Sequence, residues 1–183
     1  MRVIAGAARR TVLLAPKGHN TRPTADRIKE NLFNILAPRI PSARFLDLFC
    51  GSGAIGIEAL SRGASEAVFV DEAKDAVSVT NTNLDRTRLT TRARVLHMGA
   101  QRAISLMERA GWQFDIIFLD PPYGGNLISH VMDDLEALLA SDGILVVECS
   151  DAPQEVSGYL EIYDEREYGN TRLLFYIRKQ TEI

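Results

Sequence analysis

From Phe45 onward the chain alternates short, almost wholly apolar runs with longer segments of helical periodicity. Short apolar runs without polar alternation are strands covered on both faces, and the helical segments between them supply the covers. This rhythm predicts an α/β architecture, a mostly parallel sheet whose right-handed crossovers place helices on both faces. Strands are expected at Phe45–Phe49, Ala67–Asp71, Ala93–Met98, Phe114–Asp120 and Ile144–Glu148, and helices at Ala54–Arg62, Ala73–Arg86, Ala100–Ala110 and Asn126–Ala140. Beyond Pro153 the pattern changes. Tyr159–Tyr168 and Thr171–Lys179 are strand-like and meet at Gly169-Asn170, a hairpin turn, so an antiparallel pair is expected to complete a seven-stranded sheet.

The first 44 residues read as a basic extension packed on a body of residues 45–183. Arg2–Gly6 and Thr11–Ala15 predict a small β-hairpin around the turn-like AARR. Thr24 is a suitable N-cap for a helix running to about Ala37, with Ile28, Leu32, Ile35 and Leu36 on its inner face. Arg22, Arg27, Lys29 and Asn31 would then lie on a polar side free to meet a ligand. Up to Arg44 there are nine basic and two acidic residues, against 12 basic and 22 acidic in the remainder. A basic arm on an acidic body argues for a polyanionic partner. A second basic group, Arg86, Arg88, Arg92 and Arg94, reads as solvated surface.

Other classes are disfavoured by what the chain lacks. No apolar run approaches the roughly 20 residues of a membrane span, and MRVIAGAARR has no signal-peptide core, so a soluble, cytoplasmic protein is expected. Cys50 and Cys149 are far apart and read as free thiols, and His19, His97 and His130 have no ligand-like spacing, so no metal is expected. No unexplained apolar stripe is present, and the expected state is a monomer.

Two motifs carry chemistry. In DLFCGSGAIG, Gly51, Gly53 and Gly56 form a G-x-G-x-x-G pattern between strand and helix, which lets backbone approach a ligand closely. Asp47 just upstream would oppose a pyrophosphate but attract an ammonium. Asp71, ending the second strand, would accept hydrogen bonds from ribose hydroxyls or cap the helix before Ala73. In FDIIFLDPPY an apolar strand stops at Asp120, and Pro121 and Pro122 permit neither strand nor helix to continue. The turn would hold the Asp120 carboxylate, the Pro121 carbonyl and the Tyr123 ring in fixed relation at the sheet's carboxyl edge.

DLFCGSGAIGIEALSRGA, the acidic end of the second strand and DPPY together resemble the class I S-adenosylmethionine-dependent methyltransferases that act on exocyclic amino groups. TRPTADRIKENLFNIL and REYGNTRLLFY are similar to the RsmD type, whose members methylate the 2-amino group of one guanine in 16S small-subunit ribosomal RNA. The resemblance spans nearly the whole chain. It implies a Rossmann-like class I methyltransferase fold and S-adenosylmethionine held by Asp47, Phe49, Cys50, Gly51, Ser52, Gly53, Gly56, Asp71, Glu72, Gly99, Ala100 and Asp120. It implies Asp120, Pro121, Pro122 and Tyr123 as the catalytic turn, with Arg2, Arg9, Arg10, Lys17, Arg22, Thr24, Asp26 and Tyr123 meeting ribosomal RNA or the assembling small subunit. One departure is Gly99, where such enzymes often carry an aspartate facing the adenine. Methylation of another RNA or DNA base, a non-catalytic RNA-binding role and a nicotinamide-linked oxidoreductase are the competing readings.

Overall fold

The structure, a computed structural model, describes residues 1–16, 23–121, 131–150 and 158–179, with the side chains of residues 23–25 excepted. Seven strands form one sheet in the order β3-β2-β1-β4-β5-β7-β6. They are β1 (Arg44–Leu48), β2 (Glu66–Asp71), β3 (Ala93–His97), β4 (Phe114–Leu119), β5 (Leu139–Cys149), β6 (Leu160–Tyr168) and β7 (Thr171–Arg178). The first five run parallel, and β7 pairs antiparallel with both β5 and β6. The helices described in full are α1 (Pro23–Leu36), α2 (Ala54–Ser61), α3 (Lys74–Thr87) and α4 (Ala100–Arg109). Strand alternation divides the core in two. Phe45, Ile116, Phe118, Ile144 and Val146 pack with α1 and α2, while Leu46, Leu48, Ile117, Leu119 and Val147 pack with α4 on the other face.

Two expected boundaries require correction. The helix expected to reach Ala140 ends at residue 134, a single 3-10 turn occupies Glu136–Leu138, and its first residues lie outside those described. β5 then begins at Leu139 rather than Ile144. The register jumps from Phe114↔Leu139 to Ile116↔Ile144, so the polar stretch after Leu139 bulges out before the apolar run rejoins β4. β6 is an outer strand, bulged between Ile162 and Asp164.

The N-terminal arm also differs from a regular hairpin. Only one bridge forms, antiparallel between Arg2 and Val12. The residues beyond it give their N–H groups to side chains: Ile4 and Ala5 donate to the Glu58 carboxylate of α2 at 2.8 and 3.0 Å, and Ala8 donates to Ser61 Oγ at 2.9 Å. Leu14 exchanges bonds with the Asn83 amide of α3. Gly6 makes this docking possible. It has φ +82°, and a Cβ there would meet the Ser61 carbonyl oxygen at 1.8 Å.

Lys29 is a further correction. It does not face solvent: its ammonium lies 3.6 Å from Glu58 and donates to the Arg2 carbonyl at 2.6 Å, with 3% exposure. Burial lowers its pKa, and Glu58 works against that shift. Arg62 completes the site with a 2.7 Å bond from Nε to Glu58. Glu58 therefore joins the arm, α1 and α2 through one buried carboxylate. Glu58→Ala would strand a buried ammonium and two backbone donors, and should cost about 3–5 kcal/mol in urea unfolding.

Candidate active site

β1 sits at the switch point of the sheet, with β2 on one side and β4 on the other, so a crevice opens beyond its carboxyl end. The chain turns there through alternate left-handed positions, Phe49 at φ +69°, Gly51 at +54° and Gly53 at +73°. The non-glycine Phe49 in this region is local strain of the kind found at binding loops. Three of its own N–H groups anchor the loop. Cys50 N–H donates to the Val70 carbonyl at 2.9 Å, Gly53 N–H to the Cys50 carbonyl at 2.7 Å, and Gly51 N–H to Asp71 Oδ2 at 2.9 Å. A Cβ on Gly51 would meet nothing within 4 Å, so the outer side of the loop is open for a ligand to approach its backbone. The inner side is closed: a Cβ on Gly56 would lie 2.4 Å from the Phe69 ring.

Asp47 lies beneath this loop, 2% exposed, and its Oδ2 accepts the Gly56 N–H at 2.9 Å. Burial raises its pKa from 3.8 to about 7, opposed by that bond and reinforced by the charges of Asp120 and Asp71. Asp71 serves two backbone groups, since Oδ1 also accepts the Ala73 N–H at 2.9 Å. The same carboxylate thus braces the glycine loop and the turn into α3, but it is not the helix cap the sequence offered as an alternative, since the N-cap of α3 is Ala73 and has no side-chain capping bond. Cys50 is buried and its thiol pKa is pushed up by desolvation, so it is packing rather than a nucleophile. Cys50 and Cys149 form no disulfide.

Toward β3, Gly99 precedes α4 and Ala100 is its first residue. A Cβ at Gly99 would be 3.6 Å from Glu72 Oε2, so Glu72 brings a carboxylate beside the position where the third strand carries none. On the other side of β1, Asp120 follows β4 directly and is exposed, with Pro121 after it. Pro122, Tyr123, Lys17 and Arg22 lie outside the described residues, as does the Thr24 side chain. Arg2, Arg9 and Arg10 are exposed on the arm, and Asp26 is half-buried near enough for its charge to act on Lys29.

Three supporting residues escaped the sequence reading. Thr80 Oγ1 donates to the Gly51 carbonyl at 3.1 Å, and Asn83 Nδ2 donates to the Ser52 carbonyl at 2.9 Å while also holding Leu14. The third is Glu148, at the end of β5 beside Asp120. In the second basic group Arg86, Arg88 and Arg94 are exposed, as a solvated surface requires, and three of the four side chains also touch the protein. Arg92 donates to the Ala64 and Leu60 carbonyls, Arg94 stacks over Trp112 and Arg86 donates to the Val12 carbonyl.

The family model described as conserved hypothetical protein 95 matches residues 1–177. The chain belongs to this family, the RsmD-type methyltransferases. YlbH of Bacillus subtilis, described as an rRNA methyltransferase, is 38% identical over 184 residues, covering 98% of this chain and all of that one. Ribosomal RNA small subunit methyltransferase D of Escherichia coli K12 is 38% identical over 150 residues, 81% of this chain and 74% of the relative. Among solved structures, yhhF from Escherichia coli, described as a methyltransferase, superposes with TM-score 0.85 at 34% identity, covering 99% of each chain. The fold is Rossmann-like, as in other methyltransferase structures.

Among the described residues of this RsmD-type chain, no helix is long and apolar enough to cross a membrane and no group of acidic, histidine and cysteine residues could hold a metal ion. The raised pKa of Asp47 gives a stability signature. Between 3.8 and about 7 the folded chain keeps a proton that the unfolded chain releases, so this contribution is present at low pH and is lost as pH rises through 7. Urea unfolding of Asp47→Asn should therefore lose stability less steeply than wild type across that interval, and the difference between the two curves isolates the group.

Proposed function

We propose that the protein transfers a methyl group from S-adenosylmethionine to the exocyclic 2-amino group of a guanine in small-subunit ribosomal RNA. The observation that carries this reading is the placement of the glycine loop and Asp120 at the carboxyl ends of the paired strands β1 and β4. The open face of Gly51, the carboxylates of Asp71 and Glu72, and the start of α4 at Ala100 suit an adenosine-containing ligand, and Asp47 lies where an ammonium would favour its charged form. Phe49, Cys50, Ser52, Gly53, Gly56 and Gly99 would form the backbone of that cradle. When bound, S-adenosylmethionine supplies a methyl group already activated on a sulfonium, so the chain has to supply position more than a strong base.

The acceptor nitrogen is the harder problem. Its lone pair is drawn into the purine ring, and attack requires the nitrogen to move from planar toward tetrahedral geometry. The Asp120 carboxylate and the Pro121 carbonyl would accept the amine hydrogens, favouring that change and stabilising the charge developing on nitrogen. Pro122 would keep the turn rigid, and Tyr123 would stack on the base, a contact worth roughly 1–3 kcal/mol in single-stranded recognition. One proton leaves the nitrogen as the carbon–nitrogen bond replaces the carbon–sulfur bond. A base inside a duplex does not reach such a pocket, so the target is unpaired or flipped.

The exposed Arg2, Arg9 and Arg10, with Lys17 and Arg22, would meet phosphates, while Thr24 and Asp26 would border the guanine pocket. The names of the relatives support ribosomal RNA as the polyanion. Mass spectrometry of ribosomal RNA from cells with and without the protein tests the whole reading, and incorporation only into DNA would overturn it. Asp120→Ala should reduce methyl transfer by roughly 10²–10³-fold while S-adenosylhomocysteine binding weakens far less. Separately, each of Arg2→Ala, Arg9→Ala and Arg10→Ala should weaken RNA binding and lower the slope of log affinity against log salt by about one.

A further inference from the structure

Glu148 belongs to no sequence motif, yet strand register brings it beside the turn that follows β4. The β4–β5 ladder closes at Leu119↔Val147, so Asp120 and Glu148 are the next residues along it. Phe118 and Val146 pack in one core cluster and Leu119 and Val147 in the other, which places Asp120 and Glu148 together on the face of Phe118. Asp47, between Leu46 and Leu48, shares that face. Glu148 is half-buried, and none of the described residues gives its carboxyl a hydrogen bond or an ion pair. A carboxyl partly withdrawn from water beside a second carboxyl favours its protonated form.

The surroundings fix its chemical form. β7 meets it with Leu173, its register partner, and with Phe175 on the same face, and α1 contributes Ile28, Leu32 and Leu36 to that cluster. Among the described residues, the charged group that acts on it is Asp120 from β4; Asp47 from β1 lies on the same face, and the Lys29–Glu58 pair sits farther along it between α1 and α2. Burial first, then the charge of Asp120, raises Glu148 to about 8, so at neutral pH it is mostly an uncharged acid. In that form it offers a carbonyl acceptor and an O–H donor side by side. The lactam edge of guanine carries the complementary pair, N1–H as donor and O6 as acceptor.

We propose, building on the guanine reading above, that Glu148 is a substrate-binding residue that takes the N1–H and gives its O–H to O6 while Asp120 holds the 2-amino group. Guanine is then read at three adjacent positions by two carboxyls in different protonation states. Adenine offers no 2-amino group to Asp120, and a second ionised carboxylate in place of the acid would repel O6. Glu148 thereby fixes which base presents its amine and how that amine is aimed.

The test is methyl transfer to small-subunit ribosomal particles from cells lacking the protein, by wild type, E148Q and E148L, across pH, with S-adenosylhomocysteine binding measured alongside. Wild-type kcat/KM should fall as pH rises through about 8. E148L should lose about tenfold or more at neutral pH with S-adenosylhomocysteine affinity unchanged. E148Q, whose amide presents an acceptor and a donor at every pH, should rescue most of that loss and abolish the fall at high pH. E148L as active as wild type, E148Q as damaged as E148L, or a wild-type profile without the high-pH fall would overturn the role of Glu148. Failure of wild type to methylate guanine in any ribosomal particle would instead overturn the reading beneath it.

Discussion

The arrangement hangs on a carboxylate with no access to water. Glu58 accepts from two backbone N–H groups of the arm, from Arg62 one turn along its own helix and lies against the Lys29 ammonium from α1. Such a buried ionic group is weak evidence for net stability, because desolvation offsets much of the attraction. Its value here lies in uniqueness. Glu58 follows the glycine loop on α2, so the arm and α1 take their positions from the helix whose first turn forms the candidate cofactor cradle. Misplacing one would misplace the other.

A second set of bonds runs through α3. Asn83 holds Leu14 of the arm with one part of its amide and the Ser52 carbonyl of the loop with another, and Thr80 holds the Gly51 carbonyl. The arm and the loop are therefore both referenced to α2 and α3. Because the arm's backbone bonds go to side chains of the body, its own Arg2, Arg9 and Arg10 are left exposed. Rigid placement of the backbone and freedom of the charged ends come from the same division of labour.

Much of this was legible in the residues. Unbroken apolar runs such as FDIIFL announced covered strands, and the G-x-G-x-x-G spacing located the loop. Lys29 was misread because Ile28, Leu32 and Leu36 define only part of the buried face of α1. Phe33, fully buried four residues beyond Lys29, marks a wider stripe that includes both. Glu148 was invisible for a different reason: its importance depends on the β4–β5 register, and the bulge after Leu139 leaves that register unreadable from spacing. The Arg2–Val12 hairpin was expected to extend further, but ladder bonds lost to the buried Glu58 and Ser61, which no local propensity encodes.

The outer edge at β6 has its own consequence. A strand with one unpaired side is a template on which another chain can add, and here it carries exposed Ile162 and Tyr163. The bulge between Ile162 and Asp164 breaks the repeat such an intruder would need, and Asp164, Glu165, Arg166 and Glu167 crowd charge along the next residues. Colloidal behaviour is thus written into one irregular strand, far from the chemistry, and straightening that strand would expose the folded protein to self-association without touching its site.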